Sequence, residues 1–345
     1  MRIDRSTLAI IGCGVIGRRH LKAIGAIEEA QLLAIVDPLP HIEDIATAVG
    51  AAFYTSVEKM LREVQPQGVI VSTPTEYHLH PVLEALKAGA QVLVEKPIAA
   101  TLAQAQSILR AAEKASRHVL VGHHRRYYTI TQKARQLVRE GTLGELVGVN
   151  GQWTTRKADA YYAPTWRQQR SSGPVLINLI HEIDTLRYIC GEIASISARV
   201  QRGIRDHPKE ETVALVMAFQ SGALGTFLLS DVAPSPWTWE QATGENPDFP
   251  LSGQNVYRFV GSERALDFPN LTLWHPDGVP DWNHPMRSES LHLELGDAFL
   301  AQCRHLCAVI QGEEAPRITA ADAIRTLAAT LAVFDSAQTE KQVIL

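Results

Sequence analysis

The chain has 345 residues, 46% of them hydrophobic and 20% charged, enough for two domains of ordinary size with large cores, which excludes global disorder. Its formal net charge of −4 offers no basic face for nucleic acid, and no apolar run approaches the length that crosses a membrane. Arg18-Arg19 and Arg125-Arg126 are pairs rather than patches and read as phosphate neighbours or solvated positions; the short polar lead-in 1–6 leaves no room for a signal peptide, so a soluble, cytoplasmic protein is expected.

The apolar run 8–11 reads as a first strand and is followed at once by Gly12, Gly14 and Gly17, with a helix-compatible segment, 18–30, behind them. This is the G-x-G-x-x-G pattern in the setting that gives it meaning: strand, tight turn, helix. Gly12 permits the turn, Gly14 lets a pyrophosphate approach the backbone, and Gly17 lets the helix pack close to the strand. Val15 and Ile16 lie in the same turn, where the helix start offers N–H groups to phosphate. A second apolar run, 32–36, ends in Asp37, about twenty residues past the last glycine, where such folds place an acid on the adenosine ribose. A carboxylate there accepts from a 2′-hydroxyl and repels a 2′-phosphate, so NAD is favoured, with NADP the alternative.

Helix 41–49, strand 52–54, helix 57–64 behind Ser56, strand 69–71, helix 77–88, strand 92–94, helix 102–115 behind Thr101 and strand 119–121 complete the first half. Strands alternating with helices, apolar throughout, predict a doubly wound parallel sheet covered on both faces. After helix 130–139 and the break at Gly141 and Gly144 the pattern changes to strands at 146–153, 193–200, 212–219, 224–229 and 256–260, with Ser221-Gly222 as a hairpin turn and one helix at 175–189. Residues 231–254 hold four prolines and read as a long loop; helices 291–310 and 320–338 close the chain. The fold class is therefore α/β: an N-terminal Rossmann domain over residues 1–124, then an α+β domain over 125–345 with a large, mostly antiparallel, open-faced sheet, its closing helices able to pack back on the first domain. The four cysteines, Cys13, Cys190, Cys303 and Cys307, are too scattered for a disulfide scaffold. Cys303 and Cys307 share a helix face from which His305 points away, so core packing is expected there and no metal.

Strand 92–94 ends in Glu95-Lys96-Pro97. Ligands of open α/β sheets lie beyond the carboxyl ends of the strands, so Lys96 faces the cofactor crevice; the alternative is a surface ion pair at Glu95. Glu95-Lys96-Pro97 at this distance from the glycine loop resembles the signature of the Gfo/Idh/MocA oxidoreductase family. Other stretches agree: Ser72-Thr73-Pro74 followed by His78, the segment Gly122-His123-His124-Arg125-Arg126-Tyr127, and Ser171-Ser172-Gly173 followed by His181-Glu182-Ile183-Asp184. The resemblance covers almost the whole chain. It implies that Gly12, Gly14, Val15, Ile16, Gly17, Asp37, Ser72, Thr73, Pro74, His78, Glu95 and Lys96 bind the cofactor. It further implies that His181 takes the proton of a substrate hydroxyl while Lys96 hydrogen-bonds the same oxygen, during hydride transfer between NAD and a secondary alcohol of a sugar, cyclitol or sugar acid. Many members of the family carry an Asp four residues before the histidine; this chain has Ile177 there, with Asn178 the nearest polar group, and Asn cannot exchange protons. Asp184, at i+3 from His181, could orient the imidazole. Lys96, His123, Arg125, Trp166, Arg167, Asn178 and His181 are the substrate-binding candidates, with Tyr161, Trp237 and Trp239 beside them. Relatives bury the open sheet by self-association, which implies a homodimer or homotetramer. Two other functions fit the same cofactor domain: an NAD-using glycosidase, and a non-catalytic NAD(P)-binding regulator, which would not need Lys96 and His181.

Overall fold

The glycine loop closes strand β1 (Ser6–Ile11) in the computed structural model, which describes residues 5–345; residues 1–4 of the polar lead-in lie outside the described residues. The chain divides into two units: residues up to Tyr127 with Asp297–Leu327, and Tyr128–Gly296 with Ala328–Leu345. In the first unit β1 is followed by α1 (Val15–Gly25), β2 (Ala30–Val36), α2 (Ile42–Ala48), β3 (Ala52–Tyr54), α3 (Val57–Val64), β4 (Gly68–Val71), α4 (Leu79–Lys87), β5 (Gln91–Val94), α5 (Leu102–Ala115) and β6 (Val119–Val121). The six strands form one sheet in the order β3-β2-β1-β4-β5-β6, every pair parallel. The order reverses between β1 and β4, the switch point at which such sheets open a crevice. Val69, Ile70, Val71, Val92, Leu93 and Val94 are wholly buried, which is why these strands read as apolar runs without alternation. Ser56 and Thr101 cap α3 and α5 by accepting from Lys59 N and Gln104 N, the bonds their residue types favour at a helix start.

The second unit begins with α6 (Thr129–Arg139) and β7 (Leu146–Arg156). A π-helical turn, Val175–Leu179, leads into α7 (Ile180–Cys190). Then come β8 (Ile193–Gln201), β9 (Thr212–Phe219), β10 (Leu224–Ser230), β11 (Val232–Trp237), α8 (Trp239–Thr243), β12 (Tyr257–Gly261), β13 (Ala265–Phe268), β14 (Thr272–Pro276) and β15 (Met286–Ser290), and β16 (Val343–Ile344) near the end of the chain. The sheet order is β15-β14-β13-β12-β7-β10-β9-β8-β16, with β11 against β7. Only β7 and β10 run parallel; the other pairs are antiparallel. Along β9, Val213, Leu215, Met217 and Phe219 point inward and Ala214, Val216 and Ala218 outward, the period-2 pattern of a half-buried strand. On β7, Gly151 sits opposite both Phe227 and Tyr257. A Cβ there would lie 2.6 Å from the Phe227 ring and 2.8 Å from the Tyr257 ring, so the missing side chain is what lets the two aromatics meet over the strand. The Tyr257 hydroxyl donates to Glu182 on α7, which ties the helix to the sheet.

Three expectations need correction. Residues 231–254 are not one long loop: β11 and the short helix α8 lie inside it, α8 capped by Thr238, which accepts from Gln241 N. The prolines hid the strand because Pro234 and Pro236 have no N–H to give; β11 meets β7 only at Val232 and Trp237, and the Ser235 hydroxyl bonds Thr154 O instead, at 2.6 Å. Strands β13, β14 and β15 escaped the sequence reading; β15 is exposed along its whole length and so carries no alternation. The first closing helix, α9 (Ala298–Gln311), starts seven residues later than 291, where Asp297 accepts from Leu300 N at 3.0 Å. The last is α10 (Ala320–Thr339).

The first unit's core joins Leu8, Ile10, Ile70, Leu93 and Leu120 to Ala23, Ile24 and Ile27 of α1 and to Phe299, Cys303, Leu306, Cys307 and Val309 of α9. Cys303 and Cys307 are packed there as small apolar groups, burial pushing the Cys307 thiol up to about 11, while His305 turns to the Tyr127 hydroxyl at 2.7 Å. Gly151→Ala should cost about 1–3 kcal/mol of stability by prising Phe227 from Tyr257; an unchanged urea midpoint would refute this account of the sheet.

Candidate functional site

In the first unit the candidate nucleotide site lies at the carboxyl ends of the strands. Gly12 takes a positive φ of 90°, and a Cβ there would meet Thr73 N at 2.8 Å; a Cβ on Gly17 would lie 2.1 Å from Gly12 O. Both close approaches are backbone against backbone and admit no side chain. Gly14 differs: a Cβ there would meet nothing within 4 Å, so the loop is open at this position. Gly14 also stands at the N-terminus of α1, which has no side-chain cap and no acid in its first turn, and Val15 is 80% exposed there. Open space, free helix-start N–H groups and no opposing carboxylate fit a dinucleotide pyrophosphate. Ser72 closes the turn by donating from Oγ to Gly12 O at 2.7 Å.

Asp37 follows β2 and is nearly buried. Its Oδ2 accepts from Cys13 N at 2.8 Å and its Oδ1 from Leu39 N at 2.9 Å. Each oxygen keeps a second lone pair, so the group can hold the loop and still accept from ribose hydroxyls. His78, in the turn after β4, lies between two carbonyls: Nδ1 is 2.9 Å from Pro97 O and Nε2 is 2.9 Å from Thr73 O. Burial holds its pKa below the ordinary value against the pull of those carbonyls. The ring joins the Ser72-Thr73-Pro74 turn to the Lys96-Pro97 peptide, which is cis.

Glu95 is not the surface ion pair that the sequence left open. It is buried, with Oε1 2.8 Å from His20 Nε2 on α1 and Oε2 accepting from Lys96 N at 3.2 Å. A Cβ on Gly122 would lie 2.7 Å from that Oε2, so the turn after β6 needs a glycine. Burial acts to raise the Glu95 carboxyl; the His20 hydrogen bond and nearby positive charge outweigh it and leave the group below its ordinary value. His20 meets Phe299 edge-on at 5.1 Å, and His124 stacks on the same ring at 4.9 Å. Lys96 follows directly, half-buried at the end of β5. His123 and Arg125 are almost fully buried, and Arg126 pairs with Asp322 at 2.5 Å, so the second arginine pair is not solvated.

The remaining candidate residues belong to the second unit. Asn178 and His181 are each 9% exposed, one in the π turn and one in the first turn of α7. The wider turn breaks the 3.6 register assumed from sequence, so Ile177 and Asn178 cannot be ranked by counting back from His181. Asn178 Oδ1 accepts from Lys157 Nζ at 2.8 Å. The helical run starts from a buried acid: Glu210 Oε1 accepts from Val175 N at 2.9 Å, and a Cβ on Gly173 would lie 2.3 Å from the same oxygen. Burial raises the Glu210 carboxyl. Trp166 is 59% exposed and Arg167 half-buried, its Cζ 4.3 Å from the Tyr161 ring centroid. Trp237 is partly exposed, whereas Trp239 is wholly buried between Tyr128 and Phe268 and is a core residue. His20, Lys157 and Glu210 were missed in the sequence. Only His20 left a signal, a polar residue three positions past Gly17 on the buried face of α1.

Residues 7–123 match the family model described as an oxidoreductase family with an NAD-binding Rossmann fold, and residues 131–266 match the GFO/IDH/MocA C-terminal domain. The chain is 26% identical over 294 residues to 1,5-anhydro-D-fructose reductase of Ensifer adhaerens, across 83% of this chain and 81% of that protein. It is 24% identical over 334 residues to the rhizopine catabolism protein MocA of Rhizobium meliloti, across 94% and 93%. Among solved structures it is similar to an oxidoreductase from Agrobacterium radiobacter in complex with NAD+, L-tartaric acid and magnesium, with a TM-score of 0.82 at 18% identity over 99% of this chain and 98% of that one; this likeness is one of fold.

The His20–Glu95 contact has a pH signature. Glu95 sits below its ordinary value of 4.5, so its contribution to stability is present above that pH and is lost as pH falls through the folded value. His20→Leu should cost about 3 kcal/mol at neutral pH, because it strands a buried carboxylate. That deficit should shrink on acidification, where Glu95 is protonated in both proteins. Urea unfolding at several pH values measures it, and a deficit independent of pH would overturn the assignment.

Proposed function

The chain belongs to the Gfo/Idh/MocA oxidoreductase family, whose NAD-binding Rossmann domain it carries, and from that premise we propose an NAD-dependent dehydrogenase acting on a secondary hydroxyl of a sugar, cyclitol or sugar acid. The observation that carries the reading is the pairing of an open glycine loop with Lys96, held at the same sheet edge through Glu95 and His20. Bound NAD supplies the hydride acceptor. His181 takes the hydroxyl proton as hydride leaves the carbon, a task suited to an imidazole, which exchanges protons near neutral pH. Lys96 donates a hydrogen bond to the same oxygen and stabilises its developing charge. Asp184 orients the His181 ring from one turn along α7. Asn178, an amide, moves no proton and serves to position substrate or ribose. Asp37, a fixed negative charge beside the ribose position, makes NAD the preferred dinucleotide over NADP. Dependence on free NAD suits a cytoplasmic enzyme, and among the described residues no helix is long and apolar enough to cross a membrane.

The open face of the second sheet supports self-association as a homodimer or homotetramer. Val216 is 51% exposed, Leu224 59%, Leu228 42% and Val260 46%, and they lie on one face, on the neighbours β9 and β10 and, across β7, on β12. An apolar patch of this kind is usually covered by a partner surface.

A panel of polyols, sugars, cyclitols and sugar acids, followed by NADH absorbance with NAD and NADP in parallel, tests the activity. Lys96→Met should leave NAD affinity nearly intact and lower kcat by about 10²–10³-fold; full turnover in that variant would sink the assignment. Release of an aryl leaving group without net NADH would point instead to an NAD-using glycosidase. Light scattering at micromolar concentration should show a dimer or tetramer, and Leu228→Glu should weaken it; a wild-type monomer would contradict the sheet-face contact.

A further inference from the structure

Two cations in the second unit are gathered about one aromatic ring. Arg167 Cζ lies 4.3 Å from the Tyr161 ring centroid and Lys157 Nζ lies 5.1 Å from it; the guanidinium is also 5.1 Å from the Trp166 ring. Lys157 is bonded to Asn178, three residues before His181 on the same helical run. The cluster therefore reaches the helix that holds the proposed proton acceptor.

The cluster is held from behind by a buried ionic group. Lys157 N donates to Asp231 O at 3.1 Å, and Arg205 donates to Lys157 O. Asp231 and Lys209 are wholly buried and bonded at 2.6 Å, and the Tyr162 hydroxyl donates to the same carboxylate. Arg205 has Asp159 at 3.1 Å, and Glu211 accepts from the backbone N–H groups of Ile204 and Arg205. These acids answer the rear cations. Arg167 in front has no such partner. It forms no ion pair with any described carboxylate; its Nη1 donates to Tyr161 O at 3.0 Å, and its Nε is buried without an acceptor.

A half-buried guanidinium keeps its donors in a fixed fork that water satisfies poorly. A planar carboxylate accepts from that fork in two parallel bonds and offsets its charge; a neutral polyol does neither. We propose that Arg167, seconded by Lys157 on the Tyr161 ring, binds a carboxylate of the substrate, which makes the substrate a polyhydroxylated acid of the uronate or aldonate class. This rests on the dehydrogenase reading above for what happens to the hydroxyl, but not for the binding itself.

Matched pairs test it: D-glucose against D-glucuronate and D-gluconate, D-galactose against D-galacturonate and D-galactonate, with D-glucose 6-phosphate as a further arm. Turnover is read as NADH formation and binding by calorimetry in the presence of NADH. At least one acid should exceed its neutral partner in kcat/KM by about 30- to 100-fold. Arg167→Met should erase most of that ratio, chiefly through KM, with Arg167→Lys intermediate and Lys157→Met smaller. Equal loss on acid and neutral sugar, preference for neutral sugars or for the phosphate, or no binding of any acid would overturn the inference. Arg167-dependent binding of an acid with no NADH from any compound would uphold it and overturn the dehydrogenase reading instead.

Discussion

A carboxylate removed from water must find its counter-groups inside the protein, and Glu95 finds them in His20, in the amide of Lys96 and in the space left by Gly122. The requirement is steep, because an uncompensated buried charge costs several kcal/mol. Meeting it brings the glycine-loop helix α1 to the end of β5 and sets the backbone from which Lys96 projects. His78 adds a second tie, from the turn after β4 to Pro97. The cofactor loop and Lys96 thus belong to one constellation, held by polar contacts that the parallel sheet alone would not supply.

The second unit uses the same device three times. Glu210 starts the helical run that carries Asn178 and His181, Glu182 fastens α7 to Tyr257, and Asp231 gathers Tyr162, Lys209 and the backbone of Lys157. Each acid is buried and each accepts at least one hydrogen bond. Satisfied polar groups in a low-dielectric interior select one arrangement over its near neighbours, since any shift leaves a donor or acceptor unpaired. The helical run that carries Asn178 and His181 gains a fixed placement from that selectivity. The cost is paid in glycine: Gly173 and Gly151 both give up side chains so that an acid or an aromatic ring can occupy the space.

Much of this was legible in the residues. Apolar runs and glycine positions foretold the parallel sheet, its loop and the acid after β2, and strand-like stretches with the Ser221-Gly222 turn foretold the second sheet. The unread parts share a cause. Strand β11 was hidden by Pro234 and Pro236, which suit a loop as well as an edge strand, and β15 by being exposed throughout. The start of α9 was misplaced because Leu291 and Leu295 stand at i, i+4 ahead of Phe299 and extend the apolar spacing outside the helix, and only the Asp297 cap marks its beginning. The π turn before α7 was invisible, since a changed hydrogen-bond register leaves no trace in composition.

By itself the sequence determined what short-range physics can encode: which segments are strands and helices, where the backbone must turn without a side chain, and which residue types could bind a dinucleotide or exchange a proton. Tertiary structure decided which distant residues meet. His20 and Glu95 stand 75 positions apart, Val175 and Glu210 stand 35, and Lys157 and Asn178 stand 21. No local periodicity records such pairs, because the free energy of burying a charge or a donor depends on the partner the fold delivers, and that partner is fixed only when the chain has closed around it.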